Sequence, residues 1–166
     1  MFIIGIIASG VQAKQIKREM QQEKLNADII WINSKSTENI KNVKFDIIVM
    51  QSLPGKLRDE KMYLKKILAN AKYLLLNTDL IIQEEIFEGI NAKIITYGLK
   101  QKSTITTSSI EEKQTVISIQ RAFENLQGQV IERQEIPTKI NRKDSNYIYN
   151  SLIKTAIINI HGAKKP

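Results

Sequence analysis

Short apolar runs alternate with amphipathic stretches from Phe2 to Tyr97, and each run has the length of a strand. Phe2 to Ala8 reads as the first strand, and it passes through Ser9 and Gly10 into a stretch where Ala13, Ile16 and Met20 share one helical face. Ala27 to Asn33 predicts a second strand, followed by a polar segment to Asn42 with a short helix around Thr37 to Ile40. Phe45 to Gln51 shows almost no polar alternation, which predicts a third strand covered on both faces. After a Pro54–Gly55 turn, a helix from about Arg58 to Asn70 places Leu64, Ile67, Leu68 and Ala71 inward. Strands Tyr73 to Asn77 and Ala92 to Tyr97 then bracket a predicted helix from Asp79 to Gly89, with Ile82, Ile86 and Phe87 inward.

From Gly98 the period changes. Thr104 to Ile110, Thr115 to Phe123 and Gln129 to Ile140 are rich in Thr, Val and Ile at period two, the pattern of antiparallel strands. A last helix from Asp144 to His161 begins at a capping Asp or Ser, carries Ile148, Leu152, Ala156 and Ile160, and ends at Gly162, with residues 163–166 as a frayed tail. Strand and helix alternation predicts an α/β fold, a mostly parallel sheet flanked by helices, with a small antiparallel β piece near residues 104–140. The first five strands are expected in one sheet, and residues 1–166 are read as a single domain, the size one core supports.

Composition narrows the chemistry. The chain has no cysteine, which excludes disulfides, thiolate metal sites and a cysteine nucleophile. The opening apolar run has no basic residues before it and leads straight into a charged helix, so it does not read as a leader; no apolar run approaches membrane-span length, and a cytoplasmic protein with no membrane insertion is expected. A formal charge of +8 invites a nucleic-acid reading, but the lysines are spread from Lys14 to Lys165 and aromatic residues make up 6% of the chain. Nucleic acid is therefore not the expected partner.

The stretch FIIGIIASGVQAK has the outline of a phosphate-binding turn, a strand opening through glycines onto a helix. Gly5 and Gly10 stand at the spacing of a P-loop's two glycines, while Val11 and Gln12 occupy the positions of its Lys and Ser or Thr. A P-loop lysine reaches the β/γ-phosphates and the hydroxyl holds Mg²⁺. Losing one charge-assisted hydrogen bond of roughly 1.5–3 kcal/mol weakens triphosphate binding about ten- to a hundredfold. Ser9, Gly10 and the following N–H groups remain as a weak anion site, or else the turn is only a tight strand-to-helix connection.

Three further stretches carry a family resemblance. Asn77 to Leu99, NTDLIIQEEIFEGINAKIITYGL, is similar to an N-A-D-D … ITYG segment, with Thr78 and Leu80 replacing Ala and the second Asp. A Thr/Ser-rich antiparallel piece follows, and NYIYNSLIKTAIINIHG, Asn146 to Gly162, looks like an H-N-x-x-N-A-x-A-A … G helix start. In this order the stretches resemble the central, ATP-binding domain of the Mur ligase family, through almost the whole chain. The resemblance implies that the strand before the phosphate turn lies inside the sheet. It also implies vestigial nucleotide contacts at Gly5, Ser9, Gly10, Gln51, Asn77, Asp79 and Asn150. Gln51 stands where the family has a Mg²⁺-holding Glu, Asn146 and Tyr147 replace the His and first Asn of the adenine site, and Leu64 is the ungapped match to the carbamylated lysine, beside Lys65 and Lys66. The family's TNxxxDH segment has no counterpart, and neither its substrate-binding domain nor its C-terminal amino-acid domain is found in the chain.

The replaced positions Val11, Gln12 and Gln51 predict no catalytic residues, no metal site and no cofactor beyond weak ATP or phosphate binding. The resulting expectation is a non-catalytic Mur ligase-like binding or interaction module linked to peptidoglycan metabolism, with a protein partner of unknown identity. Two alternatives stay open, a component of an ATP-dependent amide-bond ligase completed by a partner chain and a basic nucleic-acid-binding protein. Local structural roles compete at several sites: Asp79 as a helix cap, Asn150 as a helix-face polar residue, Gln51 as a satisfied strand end, and His161 beside Gly162 as a helix C-terminal cation. The pairs Glu84/Glu85 and Glu111/Glu112 read as solvated faces.

Overall fold

A computed structural model describes residues 1–80, 82, 84–139 and 145–162, apart from the Ser145 side chain. It is an α/β fold in which a mostly parallel sheet is flanked by helices, with hydrogen-bonded strand order β10-β7-β6-β5-β4-β3-β1-β2 and a separate β8-β9 pair. Two compact units divide the chain, residues 1–95 and 96–166, and the division falls inside β5 (Lys93–Tyr97).

The first unit holds β1 (Phe2–Ile7), α1 (Gly10–Gln22), β2 (Ala27–Ile32), α2 (Thr37–Ile40), β3 (Phe45–Met50), α3 (Gly55–Asp59), α4 (Lys61–Ala69) and β4 (Ala71–Asn77). β1 pairs in parallel with β2 on one side and β3 on the other, and β3 pairs in parallel with β4. The strand before the glycine turn is therefore internal, as the resemblance implies. Parallel strands need cover on both faces, and β3 is buried at every position but Asp46. On one side Leu64, Ile67 and Leu68 of α4 pack with Ile32, Phe45, Ile48 and Leu74, and each such fully buried side chain contributes roughly 1.5–3 kcal/mol. Ala13, Ile16 and Met20 are the buried face of α1.

Two helix expectations need correction. The helix expected from Arg58 to Asn70 is two, because Glu60, at φ −89° and ψ 44°, leaves helical geometry between α3 and α4. The helix expected over Asp79–Gly89 is a single 3-10 turn at Glu84–Phe87 among the described residues. Two features explain the shortfall: Asn77 Oδ1 accepts the Asp79 N–H at 2.9 Å in a tight local turn, and Gly89 sits at φ +74°. Ile82, Ile86 and Phe87 still pack, partly buried, on the core.

In the second unit β6 (Ile105–Ile110), β7 (Thr115–Ile119) and β10 (Gln134–Thr138) form an antiparallel set, with β7 central. The antiparallel expectation is met, although the runs to Phe123 and from Gln129 are broken by the short pair β8 (Phe123–Glu124) and β9 (Val130–Ile131). Pro137 lies in the terminal strand β10, a place where a missing N–H costs little. α5 (Ser145–His161) buries Ile148, Leu152, Ala156 and Ile160 as its spacing predicts. The Leu126 N–H donates to the Ile160 carbonyl at 2.9 Å, and Tyr149 meets Tyr97 edge to face at 6.5 Å. The expected cap at Asp144 and the tail at 163–166 lie outside the described residues.

Candidate functional site

The C-terminal ends of β1, β3 and β4 gather most of the polar side chains the sequence singles out. Only Ala8 and Ser9 separate β1 from α1, so Gly5 is not part of a phosphate turn but an internal residue of β1. Its role there is packing. A Cβ at Gly5 would lie 2.7 Å from Ile32 Cδ1 and 3.1 Å from two Phe45 ring atoms, so only glycine lets β1 approach its neighbours this closely. Gly10 has a similar reason, since a Cβ there would stand 3.3 Å from Trp31 Cη2.

Ser9 caps α1, and Gln12 completes a capping box. Gln12 Oε1 accepts from the Ser9 N–H at 3.3 Å, the Ser9 hydroxyl at 3.2 Å and the Ser52 hydroxyl at 3.0 Å. The Ser9 hydroxyl oxygen in turn accepts the Gln12 N–H at 3.3 Å. A neutral amide oxygen thus takes the Ser9 N–H and two serine hydroxyls beside the helix start, and Ser9 Oγ takes the Gln12 N–H, so the chain's own side chains fill part of the space that an anion occupies at a helix N-terminus. The capping box was readable as Ser9-x-x-Gln12, whereas the contribution of Ser52 required the tertiary fold.

Gln51, Asn77 and Asp79 form a second polar group. Gln51 and Asn77 are both buried, and Asn77 Nδ2 stands 3.4 Å from both the backbone carbonyl and Oε1 of Gln51. Asp79 is drawn in through its backbone, whose N–H donates to Asn77 Oδ1. Asn150 belongs to the second unit, on the buried side of α5. The neutral amides of Gln51 and Asn77 can orient a ligand through hydrogen bonds, but neither supplies the charge that stabilises a transferring phosphoryl group. Among the described residues no three His, Asp or Glu side chains cluster as a metal site, and no helix is long and apolar enough to cross a membrane.

A crevice of about 720 Å³ opens beside Ser9 and Gly10, between the loops that follow β2 and β3. Trp31, Leu53 and Leu57 provide apolar surface, and Lys35 and Lys56 are the charged residues among its described lining. Trp31 is 44% exposed, and its Nε1 donates to the Ala8 carbonyl at 3.1 Å. The sequence reading missed these residues because a lone tryptophan at a strand end and two lysines among many carry no spacing signal. A second cavity of about 660 Å³, bounded by Arg58, Lys61, Lys65, Glu85 and Glu88, mixes both charge signs. No protein-family model matches the chain, and no curated protein matches it either.

Proposed function

We propose that the chain is a Mur ligase central-domain-like module that binds without hydrolysing nucleotide, works in the cytoplasm in connection with peptidoglycan metabolism, and engages a protein partner there. The observation that carries the non-hydrolytic part is the capping box at the α1 N-terminus, where the neutral Gln12 amide oxygen accepts from Ser9 and Ser52. Hydrolysis of a triphosphate draws on cations and a metal clamp around the phosphates. Here the residue after Gly10 is Val11, 70% exposed, and the strand-end residue at β3 is the neutral Gln51. The N–H groups of Gly10 and Val11 remain as neutral donors, which supports weak anion binding of roughly 0.3–2 kcal/mol and no more. The Mur-like and cell-wall parts rest on the sequence likeness.

The test is a steady-state assay of phosphate release from ATP with Mg²⁺. The reading predicts no release above the buffer rate. Turnover that disappears in Gln51→Ala would overturn it.

A further inference from the structure

We infer that the crevice beside Trp31 is a binding site for a small molecule that joins a flat aromatic ring to a carboxylate or phosphate. The inference rests on the reading of this sheet edge as a binding region, and it names the ligand's chemistry. Four observations lead to it.

Place comes first. β1 lies between β2 and β3, so the loop leaving β1 leads back to one side of the sheet while the loop leaving β3 leads to the other. Where successive connections diverge in this way an open α/β sheet leaves a crevice outside the carboxyl ends of its strands, the usual seat of a ligand. The cavity of about 720 Å³ occupies that place and falls within the size range of small-molecule sites, roughly 300–1,000 Å³.

Charge comes second. Lys35 and Lys56 line the crevice with no Asp or Glu among the described lining residues, and both lysines are exposed. Neither crevice ammonium is paired with a carboxylate among the described residues. The other large cavity of this unit carries Glu85 and Glu88 among its cations, so it lacks this single-sign character.

The third observation is the indole. Trp31 is held by its hydrogen bond to the Ala8 carbonyl and by contact with Gly10, so its ring is already in position before a ligand arrives. A fixed aromatic surface loses little conformational entropy on binding. Pre-organisation of the β2–α2 loop is the fourth. Asn33 N–H donates to Ser36 Oγ at 3.0 Å, Ser36 Oγ donates to the Asn33 carbonyl at 3.0 Å, and Lys35 N–H donates to Asn33 Oδ1 at 2.9 Å. The loop that carries Lys35 is therefore tied to itself, and Asn39 and Ser52 add neutral polar groups to the rim.

The site differs from the vestigial nucleotide set. Of those residues only Ser9 and Gly10 touch the crevice, while Gln51, Asn77 and Asp79 do not line it. An aromatic ring against Trp31 with an anionic head towards Lys35 and Lys56 satisfies both halves of the lining.

The experiment uses the full chain and its single tryptophan, whose indole N–H gives one resonance in a proton–nitrogen correlation spectrum. The probes are 4-aminobenzoate, adenosine 5′-monophosphate, aniline, adenosine, acetate and inorganic phosphate, each titrated to millimolar concentration. The proposal expects one or both of the probes that combine ring and charge to shift the indole signal saturably. Ring alone and charge alone should bind at least about tenfold more weakly, because stacking and ion pairing each supply part of the affinity. The Lys35→Gln/Lys56→Gln double variant, altered only at exposed positions, should weaken binding roughly three- to tenfold while leaving the rest of the spectrum unchanged. An indole signal that stays in place with both combined probes would overturn the proposal, as would equal affinity in the double variant. ATP turnover tests the non-hydrolytic reading and leaves this result untouched, so the two fail separately.

Discussion

Replacing Gly5 with Ala tests whether that glycine serves packing or phosphate. The added methyl would fall 2.7 Å from Ile32 Cδ1 and 3.1 Å from two Phe45 ring atoms, against the 3.4 Å at which ordinary contact begins. Ile32 is 0% exposed and Phe45 1%, so neither can retreat into solvent. Overpacking of a dense core costs typically about 1–3 kcal/mol. The loss of chain entropy in the unfolded state offsets about 0.4–1 kcal/mol of that, leaving a net destabilisation of roughly 1–2 kcal/mol. Urea unfolding followed by Trp31 fluorescence reports on the first unit, which contains all of these residues. Ile32→Val removes the closest atom and by itself costs about 0.5–1.5 kcal/mol. The double variant should be more stable than the sum of the two single changes by about 1 kcal/mol, since one cavity receives the other's methyl. A Gly5→Ala protein as stable as the wild type, or strictly additive effects, would refute the packing account.

Other substitutions probe the polar interior. Thr106 is fully buried and its Oγ1 has no hydrogen-bond partner among the described residues, so Thr106→Val should be neutral or stabilising by up to about 1.5 kcal/mol in urea denaturation, and a clear loss would show that the hydroxyl is satisfied. Gly162 has φ +75°, and a Cβ there would overlap the Gln127 amide oxygen, so Gly162→Ala should cost roughly 1–3 kcal/mol, read as a lower thermal midpoint. Asp46 accepts from the Ile3 N–H at 2.9 Å and from Lys72 Nζ at 2.7 Å, with the two ion-pair side chains 14% and 65% exposed. Asp46→Ala should therefore cost more, about 1–3 kcal/mol, than Lys72→Ala, at most about 1 kcal/mol, and the reverse order would contradict this placement.

Much of the first unit was legible because its strands are short apolar runs of unmixed character. The uninterrupted Phe45–Met50 run announced a strand covered on both faces, and Ala13, Ile16 and Met20 announced the inner face of α1. Boundaries failed where local turn chemistry overrode periodicity. Asn77 folds the chain back on Asp79, and the stretch to Gly89 winds only one 3-10 turn among its described residues although its apolar spacing suits a helix. Gly5 and Gly10 explain the limit on the site. Their spacing matches a phosphate loop, but each glycine makes room for a side chain distant in sequence, Ile32 and Phe45 in one case and Trp31 in the other. Such close approaches depend on strand order, which no local pattern encodes. The cluster of Gln12 with Ser52, 40 positions apart, depends on the same adjacency of β1 and β3.

The most direct measurement is the amide spectrum of Val11 to Ala13, which do not line the crevice, during titration with inorganic triphosphate and Mg²⁺, in the wild type and in Gln12→Ala. The capping box at the helix start predicts small, unsaturated shifts in the wild-type protein, with a larger response once the Gln12 amide oxygen is removed. Saturable shifts of these amides in the wild type would mean that the phosphate seat is open and would contradict the account.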